Sequence, residues 1–207
     1  MTSITNTDPR TKTSNSIQPS GLACLVGGLL WLVVNLAGAF GLPLGPPVVE
    51  GLLGVLLLLG LRGGPLGLLT LRAGGGRTGR VSAIVTLLGL VSYLTGQALQ
   101  TALGLATSEI GIFYAAGALL VGLGMLLLGI TVLLARRLAG WRRFAPLSVG
   151  LYYAAMIPVQ IVLFIGPNGT PSSTLLAFWR LTWALLGYAI LSEAQTRRAG
   201  QLAGIGG

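Results

Sequence analysis

The chain has 207 residues, 53% of them hydrophobic and 8% charged, with a mean hydropathy of +0.84 and a formal net charge of +9. Ordinary soluble domains carry about 25% charged residues, so this chain has too little polar surface to cover a soluble core, and composition assigns it to the polytopic membrane proteins. The lack of His excludes His-ligated haem and His-bound zinc or copper, the single Cys24 excludes an internal disulfide or a Cys-ligated cluster, and no compact basic domain suggests nucleic acid as a partner.

Residues 1–20 are rich in Thr, Ser and Asn, lack an apolar period, and read as a disordered cytoplasmic tail. Continuous apolar runs follow. With 33 Gly and a strong Leu bias they read as helices, not as the alternating short strands of a barrel. The first span covers 21–40, with Asn35 towards its far end. Ala37-Gly38-Ala39 has the form of a cleavage site, but the polar leader is long and weakly charged, so the span reads as retained. Residues 41–47, GLPLGPP, form a turn. The second span, 47–61, is short, and Glu50 in its first turn complements the helix dipole. The apolar piece over 65–71 either continues this span beyond Arg62 or, the preferred reading, forms a short interfacial segment.

Residues 72–80, RAGGGRTGR, are a basic glycine-rich loop. They lack the G-x-x-x-x-G-K-[ST] pattern and no strand precedes them, so they read as a loop touching anionic headgroups. The third span, 81–103, places Gln97 and Gln100 on one face, and Gly89 and Gly96, seven apart, also share a face, which suits close packing. Thr107 or Ser108 is the expected N-cap of the fourth span, 110–135, with Glu109 at its start. Ala118 with Gly122, and Gly117 with Gly124, give that helix small-residue packing faces. Residues 135–144, ARRLAGWRRF, form a basic connector with Trp141 at headgroup level. In the fifth span, 146–165, Pro158 is expected to kink the helix and free the Ala154 carbonyl, with Gln160 just beyond. Residues 166–171 are a polar turn in which Asn168-Gly169-Thr170 matches a glycosylation sequon. The sixth span, 173–192, carries Arg180, and residues 194–207 read as a cytoplasmic tail.

The fold expected is therefore an all-α six-span bundle over 21–193 with short loops. Six spans place both termini on one side. Twelve of the thirteen Lys and Arg residues fall on that side and none in the opposite loops, so the positive-inside bias makes both termini cytoplasmic. One Lys beside twelve Arg fits a GC-rich bacterial genome, and the expected location is the inner membrane. Arg180 is the exception among the cations. It lies about 10 Å into its span at 1.5 Å per residue, where a cation costs about 2.5–3.5 kcal/mol on insertion scales.

Sorting polar residues by depth collects Asn35, Glu50, Gln97, Gln100, Glu109, Gln160 and Arg180 in the far half of the membrane. One reading makes them the outer-leaflet polar pocket of a small transporter or a lipid- or anion-binding protein, taking a lipid headgroup, an anion or a small solute. Arg180 would be its cation, paired with Glu109 or Glu50, with Trp183 stacked on the guanidinium. The other makes Arg180 a packing or snorkelling residue in a non-catalytic membrane protein, a structural or accessory subunit of a complex or a homo-oligomer, as the glycine faces suggest. No constellation of base, nucleophile or metal ligands supports catalysis. Cys24 has no cationic neighbour in sequence and reads as an inert packing residue. No cofactor or metal is expected. The expected partners are anionic lipids at the arginine loops and other membrane chains or a second copy.

Overall fold

The computed structural model describes residues 9–42, 45–166 and 171–203. The sequon Asn168-Gly169-Thr170 and the outermost parts of both expected tails, 1–8 and 204–207, lie outside the described residues. Among those described, seven α-helices follow in order: α1 Pro9–Ala39, α2 Pro47–Leu61, α3 Gly63–Thr70, α4 Gly76–Leu103, α5 Thr107–Ala135, α6 Ala145–Gln160 and α7 Ser173–Ala203. A 3-10 turn, Gly140–Phe144, leads into α6, and a π-helical turn, Ile161–Ile165, continues it. Among the described residues there is no strand, and six crossings are long and apolar enough to span a membrane.

The spans close into a ring. α1 packs against α2 and α3, α2 against α4, α4 against α5, α5 against α6, α6 against α7, and α7 returns to α1. The α1–α7 pair is antiparallel: Gly21 meets Ile190 and Leu191, whereas Gly28 meets Ala184. Residues 9 and 203 therefore lie at the same end of the bundle, called here the terminal end. The outer perimeter carries exposed Leu, Val and Ile on every span, which suits contact with lipid.

Glycine sets the closest approaches. A methyl on Gly187 would sit 2.3 Å from the Leu25 amide nitrogen. The small faces expected on the third and fourth spans are used inside the chain. Gly89 lies against Val121, Gly124 against Thr86, Gly117 against Tyr93 and Gly122 against Tyr153. Association of membrane helices gains little from apolar transfer, so backbone proximity of this kind supplies much of the packing.

Three boundaries differ from the sequence reading. α1 begins at Pro9 instead of residue 21, because its leading part is held by tertiary contact. Ile17 is buried, and Gly63 of α3 passes directly under the Ser20 carbonyl. α7 runs on to Ala203, anchored by buried Glu193 and Ala194. Finally, residues 65–71 are not interfacial. Arg62 keeps helical angles (φ −59°, ψ −23°), so α2 and α3 form one crossing, Val48–Thr70. Gly63, Gly64 and Gly67 let α3 press onto Ser20, Cys24 and Ile190, which buries Leu68 completely. Arg62 is thus a second cation within a crossing, half-buried towards the terminal end.

Pro158 does not simply end hydrogen bonding. The helix widens after it, and the Gly166 N–H reaches back five residues to the Ile161 carbonyl. A π turn beside a proline accommodates the missing donor.

Candidate functional site

The centre of the ring is aromatic. Trp179 and Trp183 of α7 are buried, set edge to face with centroids 6.2 Å apart. Tyr153 of α6 lies 4.8 Å and Tyr93 of α4 lies 6.4 Å from Trp179. The Tyr93 and Tyr153 hydroxyls are hydrogen-bonded to each other.

Arg180 sits within this group, 6% exposed. Its guanidinium carbon lies 3.4 Å from the Trp31 ring centroid and 4.0 Å from that of Trp179. Trp31 comes from α1, so the tightest helix pair of the ring brings it over the arginine. The stacking role expected of Trp183 falls instead to Trp31 and Trp179, and Trp183 packs against Trp179.

The expected polar partners are elsewhere. Glu109 is exposed, and its Oε2 accepts the Ala106 N–H at 2.7 Å. It closes the start of α5, where Ala106, and not Thr107 or Ser108, is the N-cap residue. Glu50 is exposed in the first turn of α2. The Tyr114 hydroxyl donates to Gln100 Oε1 at 2.8 Å and lies 3.4 Å from Gln97 Oε1. Gln160 is buried and clamps the start of α7, accepting the Ser172 N–H at 2.7 Å and donating to the Ser172 carbonyl at 3.2 Å. Asn35 donates to the Trp31 carbonyl of its own helix at 2.9 Å. These hydrogen bonds direct Glu109 and the amides to partners other than Arg180, and Glu50 lies exposed at a helix start. The link between Gln100 and Arg180 is indirect: Tyr114 lies 6.0 Å from Tyr93, which neighbours Trp179.

What remains around Arg180 is a set of donors. Arg180 Nε and one terminal nitrogen are buried with no acceptor, as are Trp179 Nε1 and Trp183 Nε1. Among the described residues no carboxylate pairs with Arg180. The tyrosine pair adds to this. Two phenols sharing one hydrogen bond use one of their two protons, so one O–H remains to donate. Stacking covers the faces of a guanidinium but leaves its in-plane N–H groups unused. These unpaired donors, with no carboxylate among them, are complementary to an anion, which must displace neighbouring side chains to reach them because neither of these Arg180 nitrogens has accessible surface.

A second polar region lies at the terminal end. Glu193 is buried between Arg142, at 3.0 Å, and Arg197, also at 3.0 Å. Arg142 also donates to Thr196 Oγ1, and Trp141 stacks on Tyr188 at 5.9 Å. The Glu193–Arg197 spacing is visible in sequence as an i,i+4 pair. Arg142 comes from a distant connector and is not. Cys24 is fully buried, donating weakly to the Trp183 carbonyl at 3.3 Å, in keeping with a packing role.

Comparison with family models, with curated proteins and with solved structures finds no match to this chain. Function must therefore be argued from the geometry.

Proposed function

We propose that the protein is a non-catalytic, multi-pass membrane protein that binds an anion in the interior of its ring, with Arg180 as the anchoring cation. The observation that supports this is the buried guanidinium with unpaired N–H groups and no carboxylate partner. An arginine kept only for packing is expected to have its donors satisfied, since each unmatched buried donor costs about 1–3 kcal/mol. The glycine faces that suggest a subunit role are consumed within the chain and so do not point to a partner. A purely architectural role is favoured by one observation, the placement of Arg180 between two indoles.

The test separates the two. Of the four tryptophans, Trp31 and Trp179 stack on Arg180, Trp183 adjoins Trp179, and Trp141 lies apart at the terminal end. In a Trp141→Phe background, iodide should quench the remaining fluorescence with a saturable component. Adding Arg180→Met should remove that component and leave only linear collisional quenching. Identical curves for the two proteins would mean that no anion reaches Arg180.

We further propose that the terminal end faces the cytoplasm of a bacterial cell and that the protein sits in the inner membrane. The basis is the concentration of arginine at that end. A green fluorescent reporter fused to the C-terminus should fluoresce, and an alkaline phosphatase fusion at the same site should be inactive. The opposite pattern would reverse the orientation.

A further inference from the structure

The loop between α3 and α4 does more than present positive charge. It forms one wall of a cavity of about 430 Å³ at the terminal end. Arg72, Arg77 and Arg80 line it from the loop and the first turns of α4, and Arg137 lines it from the connector after α5. Leu68 and Leu128, both buried, form apolar wall beneath them. No Asp or Glu is among the lining residues.

The cavity is held in shape. A methyl on Gly79 would lie 2.7 Å from the Gly74 carbonyl oxygen, so the loop folds tightly back on the first turn of α4. Gly75 (φ +60°) and Gly76 (φ +37°) take the left-handed backbone angles that this reversal needs. Arg137 donates to the Arg72 carbonyl at 3.2 Å, which ties the two segments together. Arg72, Arg77, Arg80 and Arg137 are all exposed, and four like charges around one cavity give it a positive potential that favours an anion. Glu193 is already engaged by Arg142 and Arg197. The first turn of α4, which has no side-chain cap, contributes Gly76, Arg77 and Gly79 to the lining. Arginine forks match the oxygens of a phosphate.

We propose that this cavity binds one phosphate-bearing ligand per chain, with Arg77 and Arg80 as principal contacts and Arg72 and Arg137 completing the charge. This site is separate from Arg180 and does not depend on anion binding there. The shared chemistry is the phosphate group, carried either by a lipid headgroup at the membrane surface or by a soluble phosphate ester.

The experiment uses the full chain in neutral phosphatidylcholine nanodiscs, titrated separately with short-chain phosphatidic acid and with inorganic pyrophosphate. Native mass spectrometry reads stoichiometry, and thermal shift reads affinity. The expected result is saturation at one ligand per chain. Binding should weaken at least tenfold in Arg77→Gln/Arg80→Gln, and not in Arg136→Gln, which alters another exposed arginine, one that does not line the cavity. Binding of phosphatidic acid that pyrophosphate does not displace assigns the site to a headgroup. Binding or displacement by pyrophosphate assigns it to a soluble phosphate. Absence of saturable binding by either ligand to the unmutated protein overturns the proposal. So does equal weakening by Arg136→Gln, which would mark a diffuse surface effect. Arg180→Met should leave one ligand per chain bound, which separates this cavity from the ring interior, and either single substitution, Arg77→Gln or Arg80→Gln, reads the same loss if the double substitution disturbs folding.

Discussion

Arg180→Met is expected to abolish anion binding in the ring while changing the free energy of unfolding by no more than about 2 kcal/mol. The magnitudes explain the combination. A cation within the membrane costs about 2.5–3.5 kcal/mol on insertion scales. Stacking on two indoles, at 3.4 Å and 4.0 Å, returns about 2 kcal/mol for each desolvated contact. The two terms nearly cancel, so the arginine is close to neutral for stability. Methionine fills much of the same space without charge. Thermal unfolding in one detergent, followed by intrinsic fluorescence, measures the difference. A loss well beyond about 3 kcal/mol would instead make Arg180 a structural linchpin of the ring.

Gly187→Val is expected to have the largest structural effect, a loss of at least about 3 kcal/mol or failure to yield folded protein. Its added Cβ would meet the Leu25 backbone nitrogen at 2.3 Å and Cα at 2.7 Å. Backbone atoms cannot rotate aside as a side-chain tip can, so α1 must move off α7. That movement also withdraws Trp31 from Arg180, so any retained protein should lose its saturable iodide response. Gly111→Ala provides the contrast within α5. Nothing lies within 4 Å of the position its methyl would take, and alanine is favoured over glycine in a helix by about 0.8–1 kcal/mol. Its stability should be unchanged or slightly raised. Yield and thermal midpoint of the two variants, compared side by side, test the assignment of α1–α7 as the tightest seam.

The helical architecture is legible in the sequence because apolar length is a local property. The expected spans 81–103, 110–135 and 146–165 fall within or close to α4, α5 and α6 with its π turn. What escapes a local reading is long-range. Residues 9–20 look polar alone, and only packing against α3 explains why Ile17 and Ser20 belong to a helix. The segment 65–71 looks interfacial because Arg62, Gly63 and Gly64 interrupt the apolar run. The same glycines are what allow it to be buried.

Arg180 stands out in the sequence as a charge in an apolar run, but its surroundings do not. Depth alone groups it with Glu50, Glu109 and the amides. The fold turns those side chains to helix starts and to other partners, and Trp31 reaches the guanidinium only because α1 closes the ring against α7. The arginine-lined cavity is likewise half visible. The glycine-rich run 72–80 is conspicuous, whereas Arg137 joins it from a connector that no local pattern links to it.

The measurement that tests the central claim most directly is anomalous diffraction from crystals of the full chain grown in iodide. The expected result is an anomalous peak within hydrogen-bond reach of the in-plane nitrogens of Arg180, beside the Tyr93–Tyr153 hydroxyl pair. Iodide only at the arginine-rich terminal end, with none within reach of the Arg180 nitrogens, would contradict it.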